Sequence, residues 1–134
     1  MTDFEFLIGK RPVSLQAKKK SRLQDWKLFV NREARKAWTQ GLPVEEIPLS
    51  ITLVYLCDES PGDTDNIVKP IQDALRGVVY SDDSLIADVR CFRRPLAGTF
   101  DPARLPRILV DGILSESECV YVRISDSPPL EELL

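Results

Sequence analysis

Apolar residues along the chain change their spacing several times, and each change marks an element. Phe4-Glu5-Phe6-Leu7-Ile8 reads as a first strand, stopped by Gly9 and Pro12. After a basic linker, Leu23, Trp26, Val30, Ala34 and the pair Ala37/Trp38 recur at helical spacing. That predicts a helix over residues 21–40, capped by Ser21 and stopped by Gly41 and Pro43. Trp26 and Trp38 lie on the apolar stripe, so packing is expected of them rather than stacking on bases. Residues 49–56 are rich in β-branched side chains and predict a second strand, followed by a turn-rich loop at 57–62. Ile67, Ile71, Ala74 and Leu75 predict a second helix over 66–76, stopped by Gly77. Pro70 lacks a backbone donor, so this helix should start late or kink in its first turn. Residues 85–92 alternate, with Leu85, Ala87, Val89 and Cys91 inward and Asp88 and Arg90 outward, as in a half-buried strand. The Pro- and Gly-rich residues 95–117 receive no assignment. Residues 119–124 form a closing strand, and 127–134 an acidic, frayed tail. The order β-α-β-α-β-β predicts an α+β (compact α/β) domain over residues 1–134: a small mixed β-sheet with helices packed on one face.

A chain of 134 residues with 43% hydrophobic content can bury a core of its own. Cys57, Cys91 and Cys119 form no Cys-x-x-Cys pair, and an odd count suits a reducing compartment. Cys91 and Cys119 sit in apolar runs and read as small core residues. Met1-Thr2-Asp3 lacks the basic start of a secretory leader, and no run approaches ~18 apolar residues. A soluble, cytoplasmic protein without a membrane partner is expected.

The net charge of −3 hides an asymmetry. Residues 1–40 carry ten Lys/Arg against four acids, whereas 41–134 carry eight against seventeen. Arg90, Arg93, Arg94, Arg104 and Arg107 add a second basic cluster. Local charge rather than net charge attracts phosphates. Lysines on a helix are ordinarily a solvated face, but these segments flank a cluster of acids.

That cluster is Asp63-Thr64-Asp65-Asn66-Ile67-Val68-Lys69 with Asp82-Asp83. Histidine is absent from the whole chain, so acids, a lysine and a metal must carry any catalysis. Carboxylates are the hard ligands Mg²⁺ prefers. Asp63 and Asp65 point the same way in an extended segment and can share one metal. Lys69 lies one helical turn beyond Asp65 and can reach the same site. If the third strand lies beside the second, either Asp82 or Asp83 arrives next to them. The plainer account has Asp65 or Asn66 capping the helix, Lys69 paired with Asp65, and Asp82-Asp83 forming a turn. An EF-hand loop fails, because Ile67 stands where an oxygen donor is needed and the glycine after it is missing. A haloacid-dehalogenase arrangement would spread these residues over a far longer chain.

The ordered pattern Asp63-x-Asp65-Asn66-x-x-Lys69-x-x-x-Asp73-Ala74-Leu75, then Asp82-Asp83-x-x-Ile86, resembles the RusA family of Holliday junction resolvases. The resemblance covers the central third closely. It reaches more loosely to the first strand, the Gly9…Pro12 segment and the final strand. It implies a small homodimeric, Mg²⁺-dependent endonuclease of bacteria and phages, including prophages, that cuts four-way DNA junctions symmetrically. It further implies that Asp63, Asp65 and Asp83 bind metal (Mg²⁺, with Mn²⁺ as substitute) and that Lys69 is catalytic. The acidic net charge, the 95–117 insertion and the acidic tail depart from the family.

The function expected is therefore a structure-selective endodeoxyribonuclease resolving branched DNA in recombination and repair. Lys10, Arg11, Lys18, Lys19, Lys20, Arg22, Arg93 and Arg94 would grip the DNA. The alternatives are a catalytically weak DNA-binding protein of the same fold, and a metal-dependent phosphatase, which would not need the basic segments.

Overall fold

The computed structural model describes residues 2–58 and 63–134. Strands β1 (Asp3–Ile8), β2 (Leu49–Cys57), β3 (Ile86–Pro95) and β4 (Cys119–Asp126) form one mixed sheet in the order β1-β4-β2-β3. Strand β4 runs antiparallel to both neighbours, while β2 and β3 are parallel. A parallel pair needs a crossover, and α2 (Thr64–Leu75) supplies it. The other helices are α1 (Lys20–Ala37), α3 (Arg107–Leu114) and the single turn α4 (Leu130–Leu133). Short 3₁₀ turns occupy Asp83–Leu85 and Pro102–Arg104. The architecture is the expected compact α+β fold. No helix among the described residues is long and apolar enough to cross a membrane.

Helices α1 and α2 share one face of the sheet. Trp26, Val30 and Ala34 from α1 and Ile67, Ile71, Ala74 and Leu75 from α2 meet Phe4, Phe6, Ile8, Ile51, Leu53, Val120, Val122 and Ile124. Burying each large aliphatic contributes about 1.5–3 kcal/mol, so this layer dominates the stability. Both tryptophans are packing residues: Trp26 is buried, and Trp38 meets Phe4 edge to face.

The unassigned stretch 95–117 contains α3, which lies on the opposite face. There Leu109 packs with Leu56, Cys119 and Tyr121. The close approach requires Gly112, where a Cβ would meet Cys119 Sγ and a Leu7 methyl at 3.0 Å.

Several local expectations are corrected. Ser21 lies inside α1 and not at its cap; Lys19 holds that position and no side chain caps the helix. Helix α1 ends at Ala37 rather than residue 40. Helix α2 begins at Thr64, two residues before the expected start, with Pro70 inside it. Proline costs one intrahelical bond, which frees the carbonyl four residues earlier. That carbonyl, of Asn66, accepts the backbone N–H of Leu15 at 2.9 Å. The defect therefore ties the basic linker to α2.

Strand β3 is an edge strand starting at Ile86. Ala87 and Val89 are exposed rather than inward, because β3 has a neighbour on one side only and α2 covers little of it. Cys119 is core as expected, but Cys91 is half buried. The tail is not frayed throughout. Ser127 donates its N–H to the Pro48 carbonyl at 2.9 Å and its hydroxyl to Asp88, and α4 follows. Residues 59–62 of the expected loop lie outside the described residues.

Candidate active site

The site forms where β2 gives way to α2. Asp63 occupies the N-cap position in extended conformation, yet its side chain makes no capping bond. Asp65 stands in the first turn, where the helix dipole favours a negative charge. Both carboxylates are exposed, and neither has a hydrogen bond or ion pair among the described residues. They line one hollow of about 490 Å³ with Cys91, Phe92, Arg93 and Arg94 of β3. Asp65 also shares a hollow with Lys69, Gln72 and Val89.

Lys69 does not pair with Asp65. Its ammonium donates to Asp83 Oδ2 at 2.7 Å and lies 3.0 Å from Asp73 Oδ1, half exposed to solvent. Asp73 in turn approaches Lys27 of α1 at 3.4 Å. Hydrogen bonds to Asp83 and then Asp73 raise the Lys69 pKa above its ordinary value. The Lys69 ammonium, and next a hydrogen bond with Asp82, hold Asp83 below the usual carboxylate range. Lys69 is therefore a cation at neutral pH and cannot serve as a base there.

Asp83 reaches Lys69 because the end of α2 is tightly tied down. Helix C-termini leave carbonyls without partners. Here Gln72 accepts the Tyr80 hydroxyl at 2.6 Å, Ala74 accepts Asn31 Nδ2 at 3.0 Å, and Leu75 accepts the N–H groups of Val78 and Val79. Gly77, at φ +85°, turns the chain, and its N–H donates back to Tyr80. Asp82 caps the following 3₁₀ turn by accepting from the Ser84 N–H, in line with the expectation that Asp82-Asp83 form a turn.

Asp63, Asp65 and Asp83 were expected to converge. The structure brings Asp63 and Asp65 together and seats Asp83 on Lys69 instead. Among the described residues, no group of three His, Cys, Asp or Glu side chains is arranged to hold a metal ion. The reason is topological. Strand β3 does lie beside β2, but in parallel, with Ile86 opposite Leu49 and Pro95 opposite Cys57. Asp83 thus enters at the start of the pair and Asp63 leaves at its end. Helix α2 spans the gap, and Lys69 stands between the two acids. Mg²⁺ needs only one or two protein carboxylates if water and phosphate complete its shell. The unpaired, exposed oxygens of Asp63 and Asp65 fit that demand.

The expected DNA-gripping residues divide into groups. Lys18, Lys19, Lys20 and Arg22 are exposed around the start of α1, a helix with no acid in its first turn. Lys10 stacks on Phe29, 4.9 Å from the ring centre. Arg11 pairs with Glu118 at 3.3 Å. Arg93 and Arg94 border the Asp63–Asp65 hollow.

Glu118 was not singled out from the sequence. It accepts from the Tyr55 hydroxyl at 2.9 Å, the Asp58 N–H at 2.9 Å and Arg11. It thereby joins the end of β2, the start of the loop to Asp63, and the basic linker. Burial alone would raise its pKa, but those donors outweigh it and the net shift is downward. Contacts spanning 60 and 107 residues leave no local signal. Asp73 carried one, as its position four residues after Lys69 on a helix predicts an ion pair.

Two acids at the start of α2 and a charged lysine one turn on are thus flanked by exposed cations. Residues 9–111 match the family described as Endodeoxyribonuclease RusA, and the chain belongs to that family of nucleases. No curated protein sequence matches the chain.

Proposed function

We propose that this nuclease is Mg²⁺-dependent and resolves four-way DNA junctions as a homodimer. The observation that carries the reading is the exposed Asp63–Asp65 pair, without a partner among the described residues, near a Lys69 that is charged at neutral pH, in a chain of this family. Asp63 and Asp65 would hold the ion. When bound, Mg²⁺ supplies a water of lowered pKa and polarises the scissile phosphate. Lys69 offsets charge building on the phosphoryl oxygens. Asp83 and Asp73 keep it protonated and aimed. A DNA phosphate would compete with the two carboxylates for its ammonium.

The start of α1 supports a DNA footprint. Cations at the positive end of a helix dipole oppose it, so Lys19 and Lys20 act against the stability of α1. Phosphates satisfy both the lysines and the uncapped N–H groups. Two active sites are needed to cut symmetric strands, and a two-fold dimer provides them.

The test is cleavage of a labelled four-way junction with and without Mg²⁺ by wild type and Asp65→Asn. Wild type should cut only with the metal. The variant should bind but not cut, because Asn keeps the shape and removes the charged ligand. Equal cutting by both would refute the assignment. A second reading, a DNA-binding protein with weak catalysis, draws on Asp83 being held by Lys69 and predicts binding by wild type without Mg²⁺-stimulated cutting.

A further inference from the structure

The face of the sheet opposite α1 and α2 is only partly covered by α3. What remains open is a groove of about 550 Å³. Its floor comes from Val54 and Leu56 of β2 and Tyr121 of β4, and the insertion at 95–117 raises a wall with Phe100, Leu105 and Leu109. The remaining side is a stripe on β3. Arg90, Phe92 and Arg94 alternate along the strand, so all three project to this face. Phe92 stays 39% exposed, an uncommon position for a large aromatic ring. The Arg94 guanidinium lies 5.7 Å from its centre. Arg90 has no ion pair among the described residues. Arg123 closes the stripe from β4, paired with Asp3 at 3.1 Å.

Two of these residues belong to both sides of the sheet's edge. Phe92 and Arg94 line this groove and also the hollow that holds Asp63 and Asp65. A strand of nucleic acid whose phosphate lies at the acids can thus continue around the free edge of β3 into the groove. An exposed aromatic ring between arginines on a sheet face is what unpaired bases require: a stacking surface with cations for the backbone. Duplex DNA offers no unstacked base to such a ring, whereas a branch point does.

We propose that the Arg90–Phe92–Arg94 groove binds unpaired nucleotides adjacent to the scissile phosphate, and so selects branched over duplex DNA. This rests on the nuclease reading above, and it assigns to the insertion the role of a wall for the extruded strand. An acidic peptide segment is the competing occupant, since the exposed Leu130 and Glu131 of another copy offer the same charge complementarity.

The experiment uses the full chain in EDTA, so that binding is read without cutting. Affinities for a fluorescent oligothymidylate and for a duplex of equal length are measured by anisotropy for wild type, Phe92→Ala, Phe92→Tyr and Arg90→Ala. Wild type should bind the single strand. Phe92→Ala should weaken that binding about tenfold, the scale of one lost stacked base, with duplex affinity unchanged. Phe92→Tyr should retain it. Arg90→Ala, at an exposed position with no ion pair among the described residues, should weaken it without touching the fold. Single-strand affinity unchanged in both Phe92→Ala and Arg90→Ala overturns the proposal, as does groove substitution that alters self-association and not DNA binding. If wild type cuts junctions with Mg²⁺ while these substitutions do nothing, only the groove assignment fails. If the groove binds single strands and wild type cuts nothing, only the nuclease reading fails.

Discussion

Removing the Lys69 ammonium should separate catalysis from stability. Lys69→Ala deletes two ion pairs, at 2.7 Å to Asp83 and 3.0 Å to Asp73. The lysine is 48% exposed, so water screens both. Exposed pairs contribute about 0–1 kcal/mol each, so losing both costs about 2 kcal/mol at most. For a chain of this length each kcal/mol lowers Tm by about 3–5 °C. Catalysis should suffer far more, because a preorganised donor at developing charge contributes on the order of 10²–10³ in rate. The assay is single-turnover cleavage of a labelled junction with saturating protein and Mg²⁺, alongside a thermal melt followed by circular dichroism. Lys69→Arg keeps the charge and should retain part of the rate. A Lys69→Ala rate within about threefold of wild type would refute the electrostatic role, and a Tm drop beyond about 10 °C would make Lys69 structural. The pH profile adds a check. The folded pKa of Lys69 is raised, so its charge is present through neutrality and lost only as pH climbs past its ordinary range. Activity that rises as Lys69 deprotonates would contradict its assignment as a cation.

Three further outcomes are expected. Replacing Lys18, Lys19 and Lys20 together by Ala should flatten the salt dependence of DNA binding by about 0.9 per lost phosphate contact, yet leave α1 equally or more stable by a few tenths of a kcal/mol; an unchanged slope returns them to the solvated surface. Glu118→Gln should lower Tm at neutral pH; the depressed folded pKa means the carboxylate's contribution is present above its ordinary range and lost as pH falls through the folded value, so the gap to wild type should narrow as pH drops below the ordinary carboxylate range. A gap that widens in acid would reverse the assignment. Light scattering at micromolar protein should report about twice the 15.2 kDa chain mass, and a strict monomer would remove the basis for paired cuts.

The sequence alone determined the elements that depend on near neighbours. The two apolar helical stripes, the β-branched run at 49–56 and the closing strand at 119–124 were legible because these patterns are local. So was the order of acids and lysine, whose chemistry follows from residue type. The boundaries at Ser21 and Asn66 were not legible, because an uncapped helix start and a proline accommodated by Leu15 depend on partners elsewhere. Tertiary structure decided the site's arrangement. Parallel pairing of β2 and β3 carries Asp83 to Lys69 and not to Asp63; the helix between the two strands permits a parallel crossover, but which strands become neighbours is set by the sheet as a whole. It also decided that residues 95–117 form a helix on the second face. Alternation put Arg90 on the polar side of β3, but the groove beside it depends on how α3 packs, which follows from Gly112 meeting Leu7 and Cys119 across the sheet.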